Sequence, residues 1–285
     1  TNGRGYYRSA SFSGTTITLV TSATDYPSVS GVGAGIFLPK THYDTNAERH
    51  VIVFDYGDNS HKGYAFSVET SGSTTTAGSL FEFTSSTIVP SKGMSSCFDS
   101  ANNRTIVQWW QHSSGSGSAY YVGLICNTST GAITASGSIY QGAYSHNNTS
   151  LKVDMVFEPT NGIAYWIASA FNNNYNYITY YKMRYNSSSG QYDAQGGNSS
   201  AWSTNASGQE RTQLKLAIFG NTKRDILLVS RREWVSQKSL SSFRIVTTSA
   251  ATNLTAHNVI GFAPSAINDG ATGTINCDGN TVTTS

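Results

Sequence analysis

Apolar positions along this chain come in short bursts between polar turns, not in helical stripes. The strongest are His50-Val-Ile-Val-Phe54, Thr105-Ile-Val-Gln-Trp109, Ile163-Ala-Tyr-Trp166 and Ile226-Leu-Leu-Val229. Each is too short for a helix and carries β-branched, aromatic or other large apolar residues, which predicts buried strands. Before each stands a segment ending in Phe: Ala34-Gly-Ile-Phe37, Ser95-Ser-Cys-Phe98, Asp154-Met-Val-Phe157 and Leu216-Ala-Ile-Phe219. The phenylalanines are 61, 59 and 62 residues apart, the mark of a structural repeat. Compact turns at 99–104, 158–162 and 220–225 join three of the pairs, and their Asn-Asn, Asn-Gly and Gly-Asn dipeptides are hairpin chemistry.

A second hairpin follows each first one. Its copies are 63–68 with 75–83, 119–125 with 132–140, 178–185 with residues from 191 onward, and 240–247 with 253–260. The unit is therefore four strands, a-b-c-d, in about sixty residues. The chain opens on a c-d hairpin, 5–12 with 15–20, and closes on a weak a-b hairpin around Cys277, which lies 58 residues after Phe219. Four-stranded antiparallel units in series predict blades of a β-propeller. The expected fold is all-β: a single five-bladed propeller over 1–285, closed by pairing the N-terminal and C-terminal hairpins. Its blades are 5–26 with 273–284, 34–84, 95–141, 153–199 and 214–262. Closure leaves no open sheet edge.

Composition agrees. Charged residues are 12% and hydrophobic residues 38%, with Ser, Thr, Asn and 27 Gly filling the remainder. Weak helix formers dominate, and aromatic content argues against disorder. Net charge is +2 with no basic stripe, so nucleic acid is not an expected partner. No run of eighteen apolar residues exists, so no membrane-spanning helix is expected. The first residue is Thr1, which suggests a processed chain or a piece of a longer one. Cys97, Cys126 and Cys277 lack CxxC spacing and read as small core residues.

The repeat register assigns individual residues. Aligning the b strands puts Phe54, Trp109, Trp166 and Val229 at one core position, with Trp110 next to it at a position of mixed polarity. The residue after each Phe or its equivalent is Leu38, Asp99, Glu158, Gly220 and Asp278. Three carboxylates at equivalent sites invite a glycosidase reading, perhaps with Asp154 added, since two carboxylates suffice for that chemistry. Hairpin-turn service is the weightier expectation, because all three stand at equivalent turns. No Ser-His-Asp order, P-loop or HExxH occurs. The six histidines show no ligand spacing, and Asp55-Tyr-Gly-Asp58 lacks an EF-hand pattern, so no metal and no cofactor are expected.

The b-c loops vary most and carry His61, His112, Asn173, Asn174, Tyr175 and Trp234, the candidate binding residues. Aromatic rings beside amides and hydroxyls suit sugars: the ring covers the apolar sugar face and the polar groups bond its hydroxyls. Soluble Asn-Tyr turns explain the same loops about equally well.

Residues 97–107, Cys-Phe-Asp-Ser-Ala-Asn-Asn-Arg-Thr-Ile-Val, resemble repeats in tail-fibre and adhesin-like structural proteins of marine bacteriophages. Residues 260–275 resemble the segment that follows such repeats. The resemblance implies an extracellular virion surface or appendage protein and supplies no catalytic residues. The expected function is a non-enzymatic module binding a host-surface glycan or other receptor, with copies joined in an assembly. The alternative is a structural fibre or decoration component whose partners are other virion proteins. A glycoside-cleaving propeller is the weakest of the three.

Overall fold

Strands in this protein are apolar on both faces where a sheet lies against each side, and that accounts for runs such as Val51-Ile-Val-Phe54. The computed structural model describes residues 5–20, 22–27, 35–57, 61–84, 86–88, 93–111, 117–146, 151–172, 175–204, 213–219, 225–233, 238–246, 273–277 and 280–284. These residues form antiparallel strands and turns, with no helix among them. The chain divides into two compact units, Thr1–Ser207 and Gly208–Ser285.

The first unit opens with β1 (Tyr6–Tyr7), β2 (Ala10–Ser13), β3 (Thr16–Leu19) and β4 (Thr24–Asp25). β2 pairs with β3 around Gly14, and β1 pairs with β4, so these four pieces make one long hairpin. Sheet I follows: β5 (Gly35–Asp44), β6 (Arg49–Gly57), β7 (Lys62–Ser71), β8 (Thr74–Ala77) and β9 (Phe81–Thr84). β8 and β9 both pair with β7, as two halves of an interrupted fourth strand. Sheet II is β10 (Met94–Asp99), β11 (Arg104–Gln111), β12 (Gly117–Cys126) and β13 (Ile133–His146). Sheet III is β14 (Leu151–Glu158), β15 (Ile163–Asn172), β16 (Tyr175–Asn186) and β17 (Gln191–Thr204). In both, the strands pair in chain order, as the four-strand repeat predicts. The second unit holds β18 (Gln213–Phe219), β19 (Asp225–Glu233) and β20 (Lys238–Val246) in one sheet, and a hairpin of β21 (Gly273–Cys277) with β22 (Asn280–Thr284). The strand expected over 253–260 lies outside the described residues.

Within the first unit the sheets pack face to face in chain order. Val51, Val53 and Ala65 of sheet I meet Met94, Val107, Trp109 and Val122 of sheet II in one apolar layer. Ile106 and Trp110 point the other way, to Met155, Phe157 and Trp166 of sheet III. On the far side of sheet I, Ile52, Phe54 and Phe66 meet Tyr7 and Tyr26 of the hairpin. The first strands β5, β10 and β14 are neighbours in that order.

Two sequence expectations change. The first strand of sheet I does not end at Phe37. It passes a bulge between Phe37 and Lys40, with Leu38 at φ 53°, and runs to Asp44. Pro39 marks the spot, since Pro in a strand is confined to edges and bulges. The residue equivalent to Asp99 and Glu158 is thus Asp44, not Leu38. The b-strand alignment also shifts by two at Trp166. Arg49, Arg104 and Ile163 open β6, β11 and β15 opposite Asp44, Asp99 and Glu158, so Trp166 aligns with Val107 and Ile52. Phe54, Trp109 and Trp166 are all buried as expected, and Trp110 is fully buried as well.

Candidate functional site

The turn carboxylates come first. Asp44 Oδ1 accepts the amides of Asn46 and Ala47, each at 2.9 Å. Asp99 Oδ1 accepts those of Ala101 and Asn102, each at 3.0 Å. Glu158 accepts from Thr160 at 2.7 Å and Asn161 at 3.0 Å. All three are buried. Their oxygens hold the a-b turns, because a carboxylate satisfies two orphan amides at once. Asp99 also accepts the Tyr192 hydroxyl at 2.7 Å from sheet III, and burial beside that carboxylate raises the phenol's pKa. Asp278 lies outside the described residues.

Among the predicted loop residues, His61 is fastened in place. Its Nδ1 is 3.1 Å and 3.3 Å from the two carboxylate oxygens of the fully buried Asp55, and its ring lies against Phe37. It thus holds the b-c end of sheet I. His112, Asn173, Asn174 and Trp234 lie outside the described residues. Tyr175 opens β16 opposite Asn172, and its side chain is outside the description. No group of three His, Cys, Asp or Glu among the described residues could hold a metal ion. Cys97 and Cys126 are free and buried, and burial raises both thiol pKa values.

The first strands meet through a polar pair. His42 Nε2 lies 2.7 Å from Ser96 Oγ, across from β5 to β10. Burial, helped by Lys40 and opposed by Asp154, pulls the His42 pKa down to about 4. A neutral imidazole beside a hydroxyl is half of a nucleophilic pair. Ser96 is only 3% exposed, so the pair fastens two sheets and offers nothing to a substrate.

An accessible concave feature among the described residues lies elsewhere. A cleft of about 720 Å³ separates the N-terminal hairpin from the a-b and c-d turn ends of sheet I. That size falls within the range of about 300–1,000 Å³ usual for small-ligand sites. Tyr6, Tyr7, Arg8 and Ser9 come from the hairpin, Pro39, Lys40 and Thr41 from the bulged strand, His50 and Ile52 from β6, and Thr70 from β7. Tyr6 is 59% exposed. Tyr7 leans on Phe66 and Tyr26, with ring centroids 5.8 Å and 6.2 Å apart. Ser9 Oγ and Thr70 Oγ1 are 2.7 Å apart and tie hairpin to sheet. Ile52 and Val68 supply an apolar floor. The cleft lies at the end of sheet I opposite His61, so the loops favoured by sequence pointed to the other end of the strands. The available signal was local: Tyr6-Tyr7-Arg8 in an end hairpin, and Pro39-Lys40 inside a strand.

No protein-family model matches the chain, and no curated protein matches it. A solved structure titled as a protein of unknown function from Dyadobacter fermentans is similar at 13% identity and a TM-score of 0.42. The match covers 74% of this chain, which spans 65% of that one. At that level the likeness carries no argument, and the fold rests on the strands described above.

Proposed function

We propose that the chain is a non-enzymatic binding module of the β-propeller class that holds a glycan in the cleft between its N-terminal hairpin and sheet I. One observation carries this: tyrosine faces and hydroxyls from four strand segments converge on a concave surface of ligand size. Tyrosine rings stack on the apolar faces of sugars, while Ser9, Thr41 and Thr70 are of the type that bonds their hydroxyls. Asp99 and Glu158 are committed to turns, which favours binding over glycoside cleavage. The repeat supports a five-bladed ring with its seam at the terminal hairpins. The virion setting rests on the resemblance of residues 97–107 and 260–275. Copies on one particle would raise weak affinity by avidity. A glycan array probed with the intact chain and with Tyr6→Ala tests the reading. Binding that Tyr6→Ala abolishes is expected; binding that survives the change, or none in the parent, overturns it.

A structural role in an assembly is the second reading. It is favoured by β3, where Ile17 and Leu19 are 62% and 55% exposed on one strand. Light scattering of the parent against Ile17→Ser/Leu19→Ser checks it: a concentration-dependent oligomer lost in the variant supports it, and a monomer in both ends it.

A further inference from the structure

We infer that the cleft takes an uncharged saccharide, and that the Tyr43–His50 pair at its rim is a second stacking surface for it; this rests on the glycan reading above and deepens it. Sheet I sorts its side chains by charge. Cross-strand partners share a face. On the face toward the hairpin, Tyr43 stands opposite His50, His50 opposite Val68, and Thr41 opposite Ile52. Phe66, also opposite Ile52, meets Tyr7 and Tyr26 of the hairpin, which fixes this face as the floor of the cleft. Thr70 follows two residues after Val68 on the same face and meets Ser9. Charged residues take the alternate positions. Lys40 is opposite Val53, whose side chain packs against sheet II. Arg49 lies beside Gly131 of sheet II and pairs with Glu69. Arg8 and Lys40 are both engaged within the chain, and no Asp or Glu lines the cleft.

The Tyr43–His50 pair gives this face its chemistry. The two ring centroids are 5.1 Å apart with the planes at 57°, and Tyr43 is 47% exposed. Beside a cleft wall, two such rings offer an apolar surface to a pyranose face. His50 keeps an exposed edge, while partial burial lowers its pKa below 6.5 and leaves the imidazole predominantly neutral at pH 7. A neutral imidazole has one N–H donor and one acceptor nitrogen. A sugar hydroxyl also both donates and accepts, so the two are matched, and the hydroxyls of Thr41 and Thr70 match it in the same way. A carboxylate or sulfate only accepts. It would bring a charge to a floor without a counter-charge and forfeit its hydration there.

Calorimetric titration of the intact chain with four probes tests this: a neutral gluco-oligosaccharide, a neutral galacto-oligosaccharide, the sulfated form of the second, and an oligogalacturonate. At least one neutral probe should bind, about tenfold more tightly than either anionic probe and with the same affinity at higher salt. His50→Phe keeps a ring and removes the nitrogens, and Tyr43→Ala removes the second ring. Each should weaken that probe about tenfold. Both side chains are exposed, so both variants should keep the fold. An anionic probe that binds as tightly as the neutral ones or more tightly, and weakens with salt, overturns the uncharged-ligand assignment and leaves the glycan reading standing. Neutral binding that Tyr6→Ala abolishes but His50→Phe and Tyr43→Ala leave intact overturns the role of the pair alone. Failure of all four probes overturns both readings.

Discussion

The seam between sheets II and III and the seam between the N-terminal hairpin and sheet I use similar parts to different ends. The first is sealed. Trp110 and Trp166 pack with ring centroids 6.2 Å apart, and both are almost fully buried. Its edge is latched by Ser136, whose hydroxyl donates to the Gly190 carbonyl at 3.0 Å. The seam between sheets I and II carries the same latch with its members exchanged: Ser67 donates to the Gly131 carbonyl at 2.7 Å. Ser67 faces Gly78 across its sheet and Ser136 faces Gly123 across its own, so serine sits on β7 in one and on the last strand in the other. Gly131 and Gly190 end matching turns with φ near +70°, which Asn127 and Asn186 close by accepting backbone amides. At the hairpin seam the link is the exposed Ser9–Thr70 hydroxyl pair, and a cleft stands open beside it. One repeat interface is thus closed where small residues let sheets approach, and the other leaves a cleft beside packed tyrosines.

The largest expected effect breaks the sealed seam. Trp110→Ala removes a fully buried indole from between sheets II and III and should cost about 3–5 kcal/mol in denaturant unfolding. Tyr6→Ala at the cleft should change stability by less than about 0.5 kcal/mol. Equal losses would mean that the cleft tyrosine is core and that the contrast is misdrawn.

A pH scan sharpens the same contrast. His42 is held near 4 in the folded chain, against 6.5 for a free imidazole. As pH falls, the unfolded chain takes up this proton first, so stability declines from about pH 6.5 to about pH 4 and then levels. The loss is at most about 3 kcal/mol. His50, whose pKa burial also lowers, adds to the decline in the same direction. Unfolding of His42→Gln across this range should show a shallower slope; an unchanged slope would remove His42 from the account.

Closure itself depends on glycine. A Cβ on Gly78 would lie 2.6 Å from the Gly131 carbonyl oxygen, a backbone atom that cannot turn aside. Gly78→Ala should therefore cost about 1–3 kcal/mol by forcing sheets I and II apart. Gly14→Ala, at an open hairpin tip with φ 59°, would suffer only the backbone strain of about 1 kcal/mol. A Gly78 variant of parental stability would mean that the seam has slack.

Much of this was legible in sequence. The four-strand order, the turn role of Asp99 and Glu158, and the burial of Trp109 and Trp166 follow from period and residue type. The bulge was not legible, because Phe37 imitates the repeat and a left-handed Leu38 has no local signal beyond Pro39. Trp166 was misaligned because burial on both faces removes the alternation that fixes register. The cleft was missed because it forms between the N-terminal hairpin and strand segments of sheet I that meet only in space.

The smallest predicted effect isolates the latch. Ser136 Oγ donates to Gly190 and accepts the Arg104 guanidinium at 2.8 Å, while Arg104 lies 4.1 Å over the Tyr185 ring. Ser136→Ala deprives a part-buried carbonyl of its donor and removes a charge-assisted bond, at a cost of about 1–2 kcal/mol. Ser9→Ala deletes a hydroxyl pair already in water, and should cost no more than a few tenths of a kcal/mol. Both substitutions remove one oxygen from a seam between neighbouring repeats, so their difference measures how far water has been excluded. A difference below about 0.5 kcal/mol would make the two seams equivalent. The open cleft would then be incidental to stability, and its place as a site would rest on ligand binding alone.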